Sequence, residues 1–251
     1  MMPGMNRRNF LAAISAVAVL PRTAGAAASP VSTVELFTSQ GCSSCPPADA
    51  LLETLSTRPD LLALSYHVDY WDYLGWKDTL GSTENTQRQY AYARSFKSRS
   101  VYTPQAVING AVHVNGASRA EIDAALAANA LPQSARVTIA AQYSNDRIII
   151  ETSPASGEAA HAHVLIAWFE PMADVVITRG ENRGETLRYV NAVKALRTIG
   201  MAGSGPMRFE IPETEFANAG AHGCAILVQA MSEDGAPGTI YGAARLSART
   251  G

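Results

Sequence analysis

Two cysteines three residues apart, Cys42 and Cys45, are the residues of this sequence best suited to chemistry. A thiolate attacks a disulfide sulfur, and a second thiol close by can resolve the mixed disulfide that results, so a CXXC pair supports thiol–disulfide exchange. Reactivity depends on the thiolate. A free thiol titrates near ~8.5, and the first turn of a helix lowers that value, because unpaired N–H groups and the positive end of the helix dipole favour an anion there. The neighbouring residues supply this setting. Val34–Phe37 is a short apolar run that reads as a buried strand, Gly41 lies in a polar turn, and Ala48, Leu51, Leu52 and Leu55 fall at helical spacing. A CXXC that follows a strand and opens a helix favours a redox pair. Two other readings stay open. Cys42, Cys45 and His67 could bind a soft ion such as Cu(I), or the cysteines could form a permanent disulfide in a binding module.

The elements that must position this pair follow in order. Leu61–His67 reads as a second buried strand, followed by an aromatic loop, Val68–Trp76. Ser82 caps a helix running to about Phe96, with Tyr90, Ala93 and Phe96 as its inner face. Val101–Gly110 is a strand entered through Thr103-Pro104 and left through an Asn-Gly hairpin turn. Val112–Val114 returns, and Ser118-Arg-Ala-Glu121 is a capping box that starts a helix to about Asn129. Leu131–Ser134 reads as a linker.

Strand, CXXC helix, strand, helix, Thr-Pro strand, hairpin strand, helix is the order of a thioredoxin fold, and residues 34–130 resemble thioredoxin-like proteins. The strings Glu35–Asp49, His67–Asp78 and Val101–Gln105 are similar to signatures of the secreted DUF1223 family, as is Arg179-Gly-Glu-Asn-Arg-Gly184. The resemblance implies that Cys42 is the attacking, more exposed thiol and Cys45 the deeper, resolving one. It implies a cis-proline loop at Thr103-Pro104 beside the CXXC, leaving a backbone edge for an extended peptide. Glu35 takes the place of a buried acid that relays a proton to Cys45. The loop with His67, Asp69, Trp71, Asp72 and Trp76 borders the CXXC, with Trp71 and Trp76 as a docking surface and the acids holding Lys77 or Arg88. Pro46 and Pro47 in succession are expected to kink or delay the helix. No cofactor is expected beyond the redox-active disulfide itself, and the partners are a disulfide-containing protein or small thiol and a redox partner of unknown identity.

From Arg136 the pattern changes. Val137–Ala141, Arg147–Thr152, His163–Phe169, Val175–Thr178, Met207–Ile211 and Cys224–Gln229 are short β-type runs separated by turn signals. The expected fold is therefore an α/β thioredoxin-like domain over 29–132 followed by an all-β sandwich-like domain over 133–251. His161 and His163 alternate as on a strand, and two such residues without a third ligand read as surface histidines. Arg179–Gly184 is a turn-rich loop of functional or structural purpose.

Composition limits the alternatives. With 251 residues, 47% hydrophobic and 17% charged, the chain has room for one large or two modest globular domains. A formal charge of −2 and the lack of a basic stripe argue against a nucleic-acid partner. Three cysteines are too few for a disulfide scaffold, and Cys224 reads as a buried free thiol. Residues 1–28 read as a cleaved export signal, with Arg7 and Arg8 before the apolar Phe10–Leu20 and small residues at Ala24–Ala28. Asn6-Arg-Arg-Asn-Phe-Leu11 resembles a twin-arginine signal. No other run is long and apolar enough to span a membrane, so the mature protein is expected in the periplasm or secreted, without stable membrane insertion.

Overall fold

A computed structural model describes residues 32–247, so the expected export signal at 1–28 lies outside the described residues. The first apolar run forms β1 (Ser32–Thr38), and the next forms β2 (Leu61–His67) parallel to it, with Thr38 opposite His67. Between them lies α1 (Pro46–Ser56). The expected kink or delay at the two prolines does not occur. Pro46 and Pro47 are the first two helical residues, where the missing N–H groups have no intrahelical acceptor to lose.

The helix α2 (Thr83–Ser95) begins where expected, with the Ser82 hydroxyl accepting the Asn85 N–H at 3.1 Å. Its inner face differs from expectation. Tyr90 is exposed, while Arg88, Gln89 and Tyr92 are buried, because this helix carries a polar network into the core as well as apolar surface. β3 (Gln105–Ile108) runs antiparallel to β1, and Asn109 and Gly110, both at positive φ, turn the chain into β4 (Val112–Asn115). α3 (Arg119–Ala128) starts at Ser118, whose hydroxyl accepts the Glu121 N–H.

The remaining chain supplies β5 (Ile139–Ser144), β6 (Arg147–Thr152), β7 (His163–Val176), β8 (Thr186–Met201), β9 (Met207–Pro212), the short α4 (Glu215–Ala219), β10 (Gly223–Met231) and β11 (Pro237–Ser247). Val175 and Val176, expected in a separate strand, continue β7, and β8 and β11 are strands that periodicity does not announce. β5, β6 and β9 form a three-stranded sheet. The other eight strands form one mixed sheet in the order β11-β10-β7-β8-β2-β1-β3-β4. The join is the parallel pairing of β2 with β8 at Ser65 and Ala192, reinforced by Ser65 Oγ donating to Val190 O and Asn191 Nδ2 donating to Ala63 O. One sheet thus runs across position 132.

Three apolar layers hold the fold, and each fully buried aliphatic or Phe side chain stabilises it by roughly 1.5–3 kcal/mol. Val34, Leu36, Leu52, Leu55, Ile108 and Ile122 pack α1 and α3 onto one face of β1–β3. Phe37, Leu64, Tyr66 and Tyr92 pack on the opposite face with Leu165, Phe169 and Leu227 from the later strands. Alternate residues of β7, Val164, Ile166 and Trp168, point the other way and meet Ile148 and Ile150 of the small sheet.

Candidate functional site

The carboxyl ends of β1 and β2 converge on the CXXC. Cys42 and Cys45 are joined by a disulfide with Cα atoms 5.4 Å apart, and Cys45 is the residue that caps α1. Ser43 and Ser44 are exposed between them. Cys42, expected to be the more exposed of the two, is 2% accessible and Cys45 0%, so both are buried. Ser44 Oγ lies 3.4 Å from Cys42 Sγ and 3.5 Å from Thr103 O, and its one proton can serve either. The Thr103–Pro104 peptide is cis, and with Ser44, Tyr102, His113 and Glu121 it lines a groove beside the disulfide.

Cys42 is covered from two sides. Trp71 packs at Gly41, where an added Cβ would stand 3.1 Å from the Trp71 Cβ, so a larger residue would push against the tryptophan. Trp71 Nε1 donates to Thr103 Oγ1 at 2.8 Å, and the exposed Tyr73 stacks on the indole. On the other side lies the loop with the Arg179–Gly184 motif. Buried Asn182 donates from Nδ2 to Gln40 O at 2.9 Å and to Cys42 O at 3.0 Å, and the Ser43 N–H donates to Glu181 Oε2. Gly180, at φ +78, lies against Trp76, whose Nε1 donates to Gln40 Oε1 at 2.8 Å. A strap from the later part of the chain therefore fastens the CXXC turn of the earlier part.

One turn of α1 beyond Cys45 begins a buried polar cluster. Asp49 stands one turn beyond Cys45 on α1, and its N–H donates to the Cys45 carbonyl at 3.1 Å. Thr38 Oγ1 donates to Asp49 Oδ1 at 2.8 Å, while Oδ2 has no partner. Burial pushes the Asp49 carboxyl up to about 7, with the nearby His67 and the Thr38 hydroxyl acting against it and Asp78 adding to it. His67 is fully buried. Its Nδ1 lies 2.9 Å from Asp78 Oδ2, its Nε2 has no partner, and its ring meets Tyr189 edge-on. Burial raises Asp78, but His67 and the Gln40 and Leu80 N–H groups outweigh it and hold the carboxyl below its usual range. The ionised Asp78 accepts, so the His67 tautomer with hydrogen on Nδ1 leaves Nε2 as the open position.

Glu35 does not belong to this cluster. Along β1 it shares the face of Phe37, opposite the α1 face occupied by Val34, Leu36 and Thr38. Arg88 Nε and Nη2 donate to Glu35 Oε1 at 2.9 and 2.6 Å, and the Tyr92 hydroxyl donates to Oε2. A carboxylate saturated this way and turned from Cys45 is a structural ion pair, so the expected proton-relay role is corrected. Arg88 is accordingly not held by the aromatic loop's acids. Asp69 accepts from Thr83 and Thr86, and Asp72 accepts the Asp78 N–H. His161 ends a 3-10 turn and His163 starts β7, so they do not share a strand. Cys224 is a buried free thiol that burial raises to about 12. Among the described residues no group of three or more His, Cys, Asp or Glu is placed to hold a metal ion.

The sequence reading brought Cys42, Cys45, Thr103, Pro104, Trp71 and Trp76 to one place, and the structure gathers them. It missed Asp49 and Asp78 and left Asn182 undecided. The one legible signal was an acid at Cys45 plus four, on the apolar face of α1.

Fold and site define a mixed α/β protein with a buried CXXC disulfide at a helix N-terminus, built over by a long β extension. The chain belongs to the family described as protein of unknown function (DUF1223), which matches residues 33–229. It is similar to the crystal structure of protein AGR_C_4864 from Agrobacterium tumefaciens, at 37% identity and a TM-score of 0.77, over 88% of this chain and 96% of that one. An immunoglobulin-like domain from the M. primoryensis ice-binding adhesin aligns at 12% identity over 45% of this chain and 96% of that one, with a TM-score of 0.24 that carries no argument. No curated protein matches.

Proposed function

We propose that this protein is an exported thiol–disulfide oxidoreductase that acts through Cys42 and Cys45 on protein or small-molecule disulfides. The observation that carries the reading is the Cys42–Cys45 disulfide at the N-terminus of α1, beside the cis peptide at Pro104. The strand order β2-β1-β3-β4, with β2 parallel and β3 antiparallel to β1, supports a thioredoxin-like unit over 29–132. The packing of β5, β6 and β9 onto β7 and β10 supports a sandwich-like unit over 133–251, fused through the shared sheet. The reading has Cys42 attack and Cys45 resolve, with no cofactor beyond the disulfide. An extended substrate lies along the Thr103–Pro104 groove, with Trp71 and Trp76 flanking it. Export to the periplasm or beyond is supported by the Arg7-Arg8 and Phe10–Leu20 pattern, and a compartment that sustains disulfides suits the chemistry.

The test is the reduction potential of the Cys42–Cys45 pair, read by glutathione titration and thiol-alkylation mass. Exchange proteins lie at about −120 to −270 mV, and a value in that span separates oxidant from reductant by its position. A value below about −300 mV marks a structural staple and ends the exchange reading.

A further inference from the structure

The redox reading leaves the most unusual buried groups of the molecule unused. Two unpartnered polar atoms, Asp49 Oδ2 and His67 Nε2, lie in the layer between α1 and the carboxyl ends of β1 and β2. The parallel register explains why they meet. Thr38 and His67 are paired across β1 and β2, so both side chains leave the sheet on the α1 face, and Thr38 reaches Asp49 there. Apolar residues at these positions would cost nothing, whereas an unpaired buried polar atom costs about 1–3 kcal/mol. The cluster therefore costs stability, and it begins one turn of α1 beyond Cys45, where i and i+4 side chains share a face.

We infer that Asp49 is the proton acceptor for the Cys45 thiol when Cys45 resolves a mixed disulfide, with the Asp78–His67 pair as positioning residues. This rests on the exchange reading above. In the reduced protein the Cys42 thiolate attacks a substrate disulfide. The Cys42–substrate bond forms, the substrate S–S bond breaks, and the first substrate thiolate leaves and is protonated by solvent. Cys45, fully buried, then needs to lose its proton where water is excluded. Asp49 Oδ2 takes it, and the Cys45 thiolate attacks Cys42 Sγ. The Cys42–Cys45 bond forms as the bond to substrate breaks, and the second substrate half leaves as a thiolate that solvent protonates, while Asp49 later releases its proton to solvent. Two electrons pass from the protein dithiol to the substrate disulfide, and an external dithiol restores the pair.

The groups facing Asp49 set its readiness. They are Thr38 from β1, His67 from β2, Asp78 from the loop that follows, and Tyr189 from β8; Glu53, one turn on along α1, is directed to Arg188 at the surface. Burial and Asp78 raise the carboxyl while His67 lowers it, leaving it at about 7, where it can both accept and release a proton. Asp78 holds His67 Nδ1, so the imidazole presents Nε2 to the buried layer, and the nearby ring favours the ionised Asp49.

The experiment mixes reduced protein with excess glutathione disulfide and follows, by acid quench and mass, the Cys42–glutathione adduct and then its loss to the Cys42–Cys45 disulfide. In the wild type the second step should rise with pH through about 7. In Asp49→Asn the ratio of the second rate to the first should fall about 100-fold and the midpoint near 7 should vanish. His67→Gln keeps the acceptor but removes the imidazole that favours its ionised form, so its midpoint should move upward. That variant serves as the independent check if Asp49→Asn does not fold. If Asp49→Asn, or in its place His67→Gln, keeps the wild-type rate ratio and pH profile, the relay is overturned and the exchange reading survives. A wild-type chain that never forms the adduct overturns both.

Discussion

Replacing Asn182 by Ala tests whether the strap over the disulfide controls access to it. The Asn182 amide donates to Gln40 O and Cys42 O, at 2.9 and 3.0 Å, from a buried position. Each such bond contributes about 1 kcal/mol net, so the substitution should weaken the closed strap by about 2 kcal/mol. At 1.4 kcal/mol per decade that is roughly a 30-fold rise in the open population. Cys42 is 2% accessible in the closed form, so its reaction with solvent reagents depends on that population. The assay is the rate of iodoacetamide capture of Cys42 in the reduced protein, read by peptide mass at fixed pH. A rate in Asn182→Ala within twofold of the wild type would refute the reasoning, even if urea unfolding showed the chain to be weakened. Glu181→Gln is the comparison. Its bond to the Ser43 N–H is exposed and 3.2 Å long, and its loss should change capture by only a few-fold.

Glu35→Gln should cost about 3–5 kcal/mol in urea unfolding, because it leaves Arg88 buried without its carboxylate, yet keep the rate of Cys45 resolution; a selective loss of resolution would restore Glu35 as the relay. Asp49→Asn should stabilise the oxidised protein at high pH. The Asp49 carboxyl titrates near 3.8 when unfolded and about 7 when folded, so between those values the native state binds the extra proton and wild-type stability falls as pH rises. The gain should be absent near pH 4, grow to about 4 kcal/mol by pH 7, and stay level above it; equal gains at pH 4 and 8 would sink the assignment. Cys224, buried and raised to about 12, should resist alkylation in the native reduced protein and react only on unfolding, which a mass count of modified thiols reads directly.

Local signals were sufficient for much of this protein. The CXXC context, the Ser82 and Ser118 caps, the Asn109-Gly110 turn and the strand runs at 34–37 and 61–67 each depend on residues close in sequence, and each appears where its chemistry dictates. The DUF1223 signatures likewise lie in short strings, and the family match extends from them over residues 33–229. The polar face of α2 was not legible, since Arg88 in a helix reads as surface until its partner Glu35, 53 residues away, is known. Nor was β8, whose mixed pattern becomes a strand only when β7 and β2 flank it.

Identity and order of the reactive residues were therefore decided by the chain itself, because spacing along a strand or a helix turn fixes which groups can meet. Everything that turns those residues into a site was decided by long-range pairing. The parallel register of β1 and β2 puts Thr38 and His67 on the face of Asp49, the same pleat turns Glu35 away, and the join at β2–β8 carries the later part of the chain back so that Asn182 closes over Cys42. A strand has two faces and a sequence pattern of alternation does not say which one a distant helix will cover; only the folded sheet makes that choice.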